Sequence, residues 1–159
     1  RNHSSAASDV YKRQVQENIN IQNKKASFKY HVQKKYVAGM VLTGLQIKSI
    51  RSKKVNIDYA YCSFDLNELF LYNINFENAI SNNKNNTVKL LLNKRELNKI
   101  KKESMAPGLT IIPLKIFLSQ NGFAKIQIGI SKGKKNYDKR QSIKQREAKV
   151  KIGRIMKKN

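Results

Sequence analysis

The sequence predicts a small, mainly β protein with short helices and a basic C-terminal appendage. Three observations predict it: apolar and polar residues alternate in several short runs, Asn121-Gly122 separates two long β-prone segments, and the chemistry changes abruptly after Ser131. Residues 1–22 lack sustained periodicity, start without Met and include the run His3, Ser4, Ser5, Ala6, Ala7, Ser8. They read as a disordered or non-native leader. That leaves 23–131 as the folded domain and 132–159 as a tail.

Phe28, Tyr30 and Val32 alternate with Lys29, His31 and Gln33, as a half-buried strand requires, and His31 points outward. After the apolar residues 37–42, Thr43 and Gln46 have capping-box spacing and open a helix running to Arg51, with Leu45, Ile47, Ser49 and Ile50 around its first turns. Ile57, Tyr59 and Tyr61 alternate with Asp58, Ala60 and Cys62 in a further strand. Polar residues 65–68 separate it from 69–76, which predicts a hairpin. The Asn-rich residues 81–86 predict a surface loop.

Leu90, Leu91 and Leu92 form a short apolar run, and Asn93 with Glu96 marks a second helix start. Leu97 and Ile100 supply that helix's apolar stripe, which breaks around Pro107 and Gly108. Residues 109–118 and 123–131 then flank Gln120, Asn121 and Gly122 as a hairpin. Ile112, Leu114 and Ile116 are expected to share a face with Ile126, Ile128 and Ile130, and Pro113 marks an edge or a bulge.

Lys and Arg number 33 against 10 Asp and Glu, a formal net charge of +23 that favours a polyanionic partner through counterion release. The abundance of Asn and Ile shows that AT-rich coding also enriches Lys, so the distribution of charge is more informative than its sum. Twelve of the 33 basic residues lie in 132–159, against only Asp138 and Glu147. Like charges at this density oppose a free helix, yet Ala148, Ile152, Ile155 and Met156 fall on one helical face. The tail is expected to be disordered alone and helical on RNA.

No window holds the ~20 apolar residues of a membrane span and no export signal is visible, which predicts a soluble, cytoplasmic protein. Cys62 is the only cysteine, so an intrachain disulfide is excluded, and it reads as a small buried strand residue. His3 and His31 form no pair for acid-base work, and Asp58, Asp65, Glu68 and Glu77 are scattered. Gly129 and Gly133 lack a phosphate-loop pattern around them. Neither metal nor cofactor is expected. What remains is Tyr30, Tyr36, Tyr59, Tyr61, Tyr72 and Tyr137 among many lysines, a surface suited to phosphate contacts and base stacking. All but Tyr137 read more simply as core residues with one wet end.

Four stretches in order resemble the small protein B (SmpB) family from Asn23 onward. They are Asn23-Lys24-Lys25-Ala26; the helix signature from Gly39 to Arg51; Lys89-Leu90-Leu91-Leu92-Asn93-Lys94-Arg95-Glu96-Leu97; and Lys132-Gly133-Lys134-Lys135-Asn136-Tyr137-Asp138-Lys139-Arg140. The resemblance implies an oligonucleotide-binding-like β-barrel with short flanking helices. It also implies a monomeric, non-enzymatic partner of transfer-messenger RNA in ribosome rescue, with elongation factor Tu and alanyl-tRNA synthetase acting on the same RNA.

By the same resemblance, Gln46, Lys48, Arg51, Lys89, Leu91, Asn93, Lys94, Gly133, Lys134 and Lys135 contact the tRNA-like domain. Tyr137, Asp138, Lys139 and Arg140 act at the decoding region of 16S rRNA, and Arg154, Ile155, Met156 and Lys157 enter the empty messenger channel. The chain departs from the family pattern where Gln46 and Val37 replace acidic residues, where Thr87 and Val88 replace basic ones, and at Gly153 in the tail. Two alternatives remain: a ribosomal protein or general RNA chaperone with a similar barrel, and a metal-dependent nuclease using Asp58 or Asp65.

Overall fold

The computed structural model describes residues 19–77 and 86–157. Most of the expected leader and of the Asn-rich loop lie outside those residues. The described elements run β1 (Asn20–Gln22), α1 (Ala26–Lys29), β2 (Tyr30–Met40), α2 (Gly44–Arg51), β3 (Val55–Asn56), β4 (Tyr61–Asp65), β5 (Glu68–Tyr72), β6 (Asn75–Phe76), β7 (Val88–Leu91), α3 (Lys94–Ser104), β8 (Leu109–Leu118), β9 (Ala124–Gly133) and α4 (Asn136–Met156).

Strands β8-β4-β5-β7-β2-β9 form a ring that closes because β9 also pairs with β8, and every ladder is antiparallel. Closure is what leaves a small sheet without bare edges. The interior is filled by Leu69, Leu71, Leu90, Ile111, Ile116, Ile126, Ile128 and Ile130, joined by Ile50 of α2 and Ile100 of α3. The expected mainly β barrel is therefore present. β1 pairs with β8 outside the ring, placing Ile21 opposite Ile116, and Ile19 is buried. The folded body thus begins before Asn23, the boundary that periodicity suggested; three strand residues are too few to show a period.

The hairpin of β8 and β9 carries the expected Asn121-Gly122 turn, with Gly122 at φ +80°. Its register shifts between Pro113 and Lys115, leaving Leu114 as an extra residue. This is the bulge Pro113 allowed, and it changes the phase of the strand. Ile111 and Ile116 share the core with Ile126, Ile128 and Ile130, while Leu114 is only half-buried and Ile112 lies outside that cluster. The expected face of Ile112, Leu114 and Ile116 is split for that reason.

Asn23 satisfies the groups that the bulge leaves over. Its backbone N–H donates to the Leu114 carbonyl at 2.8 Å. Its side-chain amide donates to the carbonyls of Pro113 at 2.9 Å and Ile57 at 3.1 Å, and its side-chain oxygen accepts from the N–H groups of Lys25 and Ala26. A buried polar side chain with all these partners fixes three segments at once. The turn it makes with Ala26 launches α1, so Phe28 is helical and β2 begins only at Tyr30.

Residues 57–60 form a turn, with the Ala60 N–H donating to the Ile57 carbonyl, where a strand was expected. The alternation consequently changes phase: Ile57, Ala60 and Cys62 are buried, whereas Tyr59 and Tyr61 are exposed. Burial pushes the Cys62 thiol well above its usual range. The β4–β5 hairpin is as expected, its turn residues Leu66 and Asn67 both at positive φ.

Helix α3 is clipped to the barrel through β2. The Tyr36 hydroxyl donates to Glu103 Oε2 at 2.9 Å, and the Lys34 ammonium pairs with the other carboxylate oxygen. Hydrogen bonding from Lys34 holds Glu103 below the usual carboxylate range, while burial, assisted by Glu103, pushes Tyr36 up to about 12.

We expect Asn23→Ala to cost about 2–3 kcal/mol in urea unfolding, because four groups lose their partner together. The α3 clip gives a pH window with two signs. Glu103 contributes above its unfolded pKa of ~4.3 and loses that contribution as pH falls through its lower folded value; Tyr36 contributes below ~10 and loses its contribution as pH rises through the folded value. Glu103→Gln should flatten the acid limb of a urea-midpoint titration, with Tyr36→Phe flattening the alkaline one.

Candidate nucleic-acid interface

Two adjoining concavities cross the outer surface where β2, β7 and β9 meet the start of α3 and the side of α2. One, of about 550 Å³, is lined by Gly39, Met40, Ile47, Arg51, Leu91 and Phe123 among others; the second, of about 410 Å³, by Val37, Leu91, Asn93, Glu96 and Lys125. They share Gly39, Leu91 and Lys125, and so form one groove. A Cβ on Gly39 would lie 3.3 Å from the Leu91 Cβ, so the glycine lets β2 and β7 close up while Leu91 turns outward, 51% exposed.

The groove brings together Arg51, Leu91 and Asn93 from the sequence-predicted residues. Gln46 lies on α2 beside them, where its Oε1 accepts from the Thr43 N–H at 2.9 Å and the Thr43 hydroxyl accepts from the Gln46 N–H. The expected capping box is therefore complete, with an amide in place of a carboxylate. Asn93 caps α3, its N–H donating to Glu96 Oε2 at 3.3 Å, and Lys94 is exposed at the helix start. Lys48 is exposed on α2. Lys89 faces outward on β7 but its ammonium meets Glu68 Oε1 at 2.6 Å. Such an exposed pair contributes little and opens readily to a phosphate.

Sequence reasoning missed Phe123 and Lys125. Phe123, 68% exposed, follows the Asn121-Gly122 turn, and an aromatic held at a hairpin tip beside a basic strand was the available signal.

A second group gathers where β9 meets α4. Gly133 pairs with Tyr30 and Lys125 with Gly39, so this junction lies roughly 30 Å along β2 from the groove. Gly133 has open space around its missing Cβ, so nothing among the described residues demands a glycine there. Lys134 is instead a fastener: its Nζ donates to the Ser27 carbonyl at 2.9 Å and to Ser142 Oγ, and its N–H to the Lys29 carbonyl. Those bonds, with Arg146 over the Phe28 ring, seat the first half of α4 on α1. Lys135 is the N-cap residue and is exposed.

Asp138 therefore stands in the first helical turn, favourable for its charge, and is not the cap, although Asp138 and Gln141 have capping-box spacing. Gln141 Nε2 donates to the Tyr137 hydroxyl at 2.9 Å. Tyr137 is exposed, as is Arg140, and Lys139 is half-buried. The rest of α4 buries no residue; Arg154, Ile155, Met156 and Lys157 are all solvent-facing at its far end. Asp58, one candidate acid of a nuclease, accepts the Lys24 N–H at 3.1 Å.

A family model described as SmpB protein matches residues 20–158. The chain is 46% identical over 148 residues to an SsrA-binding protein of Christiangramia forsetii, covering 90% of this chain and 94% of that one. It is 47% identical over 144 residues to the SsrA-binding protein of Flavobacterium johnsoniae, covering 87% and 95%. A chain in a solved structure described as "tmRNA-SmpB: a journey to the center of the bacterial ribosome" superposes with a TM-score of 0.61 at 32% identity, covering 74% of this chain and 86% of that one.

Gln46→Glu should keep the cap and place a charge at the N-terminal end of the α2 dipole. A gain of roughly 0.3–1 kcal/mol in thermal unfolding at low salt is expected, shrinking as salt is added.

Proposed function

The chain belongs to the SmpB protein family, and from that membership we propose that it binds the tRNA-like domain of transfer-messenger RNA and delivers it to stalled ribosomes. The observation that carries the reading is the placement of its two groups of candidate residues. Arg51, Leu91 and Asn93 share a groove on the barrel, while the basic helix α4 leaves the opposite end of β9 with no residue buried. One part can hold a folded RNA while the other reaches elsewhere.

In this division of labour the groove offers apolar contact from Leu91, a hydrogen-bonding amide from Asn93 and cations from Arg51 and Lys125, with Lys48, Lys89 and Lys94 at its surroundings. Phosphate contacts of that kind position an RNA, and side-chain shape selects the loop or bend that fits. The open backbone at Gly133 and the cation of Lys135 serve the same RNA from the other end, and Lys134 joins them by exchanging its carbonyl for a phosphate.

Tyr137, Asp138, Lys139 and Arg140 then probe the decoding region of 16S rRNA, and Arg154, Ile155, Met156 and Lys157 occupy the empty messenger channel. α4 has 21 residues, extends roughly 30 Å and carries seven of the chain's cations and two acids. Its exposed Val150, Ile152, Ile155 and Met156 leave the far half of the helix an apolar strip that a partner can bury. The protein works as a monomer in the cytoplasm and acts by binding; elongation factor Tu and alanyl-tRNA synthetase act on the RNA it holds. A constitutive ribosomal protein would show no preference for a tRNA-like fold.

Pull-down of the chain followed by RNA sequencing should enrich transfer-messenger RNA over bulk transfer RNA. Replacing Asp138, Lys139 and Arg140 together by Ala should leave RNA affinity within about twofold while abolishing peptide tagging on ribosomes stalled in a reconstituted system. Equal enrichment of both RNAs would sink the first part. Loss of RNA affinity as severe as that of an Arg51→Ala, Leu91→Ala double variant would sink the second.

A further inference from the structure

On the opposite side of Asn23 from the barrel interior, the turn at residues 57–60 pushes two tyrosines into solvent. Tyr59 is 63% and Tyr61 49% exposed. Tyr61 is stacked on Tyr72 with ring centroids 5.5 Å apart, and Tyr72 is tilted against Phe70 at 6.4 Å, so a continuous aromatic row runs across β4 and β5. The Lys25 ammonium stands 3.6 Å from the Tyr59 ring centroid and that of Lys29 5.6 Å from it. Lys25, Lys29, Tyr59 and Tyr61 border a concavity of about 300 Å³ whose wall also includes Tyr30, Thr110 and Asp58, the last already accepting the Lys24 N–H. The barrel core does not need them: the buried members of this stretch are Ile57, Ala60 and Cys62.

We propose that this concavity is a second RNA contact, separate from the groove, in which an unpaired nucleotide stacks its base on Tyr59 and places its phosphates on Lys25 and Lys29. Lys25 on the ring is the resting arrangement of such a site. Base stacking on an aromatic outweighs an exposed ammonium–ring contact, so an entering base displaces the lysine head. The displaced cation then meets the phosphate that accompanied the base. A hydrogen bond from Lys25, with its charge, lowers the Tyr59 phenol below its usual range against the opposing pull of Asp58. An acidic peptide would satisfy the lysines but leave the aromatic row unused, and double-stranded RNA would present no free base face. The chemistry selects a single-stranded segment.

The site lies against the Tyr30 end of β2 and the groove against its Gly39 end, roughly 30 Å away, so one nucleotide cannot serve both. The test therefore uses the full chain with a fluorescent oligo(A) hexaribonucleotide and with an abasic hexamer of the same backbone. Their affinity ratio isolates stacking from the chain's general attraction for polyanions. Tyr59→Ala should cut binding of oligo(A) roughly tenfold, leave the abasic hexamer unchanged and so erase the ratio, whereas Tyr59→Phe keeps it. Lys25→Gln with Lys29→Gln should weaken both ligands and lower the salt slope by about 1.4.

Leu91→Ala in the groove should not move either hexamer, although it weakens the tRNA-like domain; this separates failure here from failure of the groove reading. A base-dependent ratio that survives Tyr59→Ala, or one that Tyr59→Phe abolishes, overturns the proposal. So does an acidic hexapeptide whose binding shows the same dependence on Tyr59.

Discussion

A single side-chain amide, that of Asn23, is the constraint on which the rest of this structure depends. A barrel of only six strands must bend sharply, and β8 bends through an extra residue at Leu114. That bulge detaches carbonyls at Pro113 and Leu114 from the ladder, and Asn23 takes both. Proline at the preceding position has no N–H to lose, so the break costs the sheet one donor fewer than it otherwise would. A second bulge lies in β2 between Val32 and Lys34. Between them stands Gly129, where any Cβ would lie 2.9 Å from Val32 Cγ1 and 3.1 Å from Leu114 Cδ1. Amide, proline and glycine thus answer one geometrical demand.

Everything attached to the outside inherits its position from that corner. The turn at Asn23 starts α1, α1 receives the Lys134 ammonium and the Phe28–Arg146 contact, and these hold the base of α4. The same amide fixes the Ile57 carbonyl and so the turn that exposes Tyr59. At the other end of β2, packing of Gly39 against Leu91 opens the groove. A rigid, closed scaffold with its candidate side chains on element ends and turns is an arrangement that suits recognition.

Local chemistry was legible in the sequence wherever it was self-contained. The Asn121-Gly122 turn, the Thr43–Gln46 cap and the burial of Cys62 each follow from a few neighbouring residues, and each is present. The phase of β4 and the face of β8 were not legible, because a turn and a bulge each shift the alternation and neither leaves a local mark beyond Pro113. Lys134 illustrates the limit most clearly. It read as a cation contacting the tRNA-like domain, yet within the chain it binds Ser27, 107 residues away. Likewise Lys25 and Tyr59 become one feature only after Asn23 has joined their two segments. The resemblance supplied the pairing of Leu91 with Asn93 as site residues; spacing alone gave only a strand end and a helix cap.

Strand β9 runs without interruption from Ala124, at the groove, to Gly133, at the root of α4. Held on both sides by β2 and β8, it cannot stretch or coil. Its length is therefore a gauge. A ligand held in the groove would be set at a fixed separation from the helix that leaves the other end, and each two residues gained or lost would change that separation by about 7 Å. Such a constraint acts on gene length and not on residue type: within β9 many substitutions preserve the gauge, but no small insertion or deletion does.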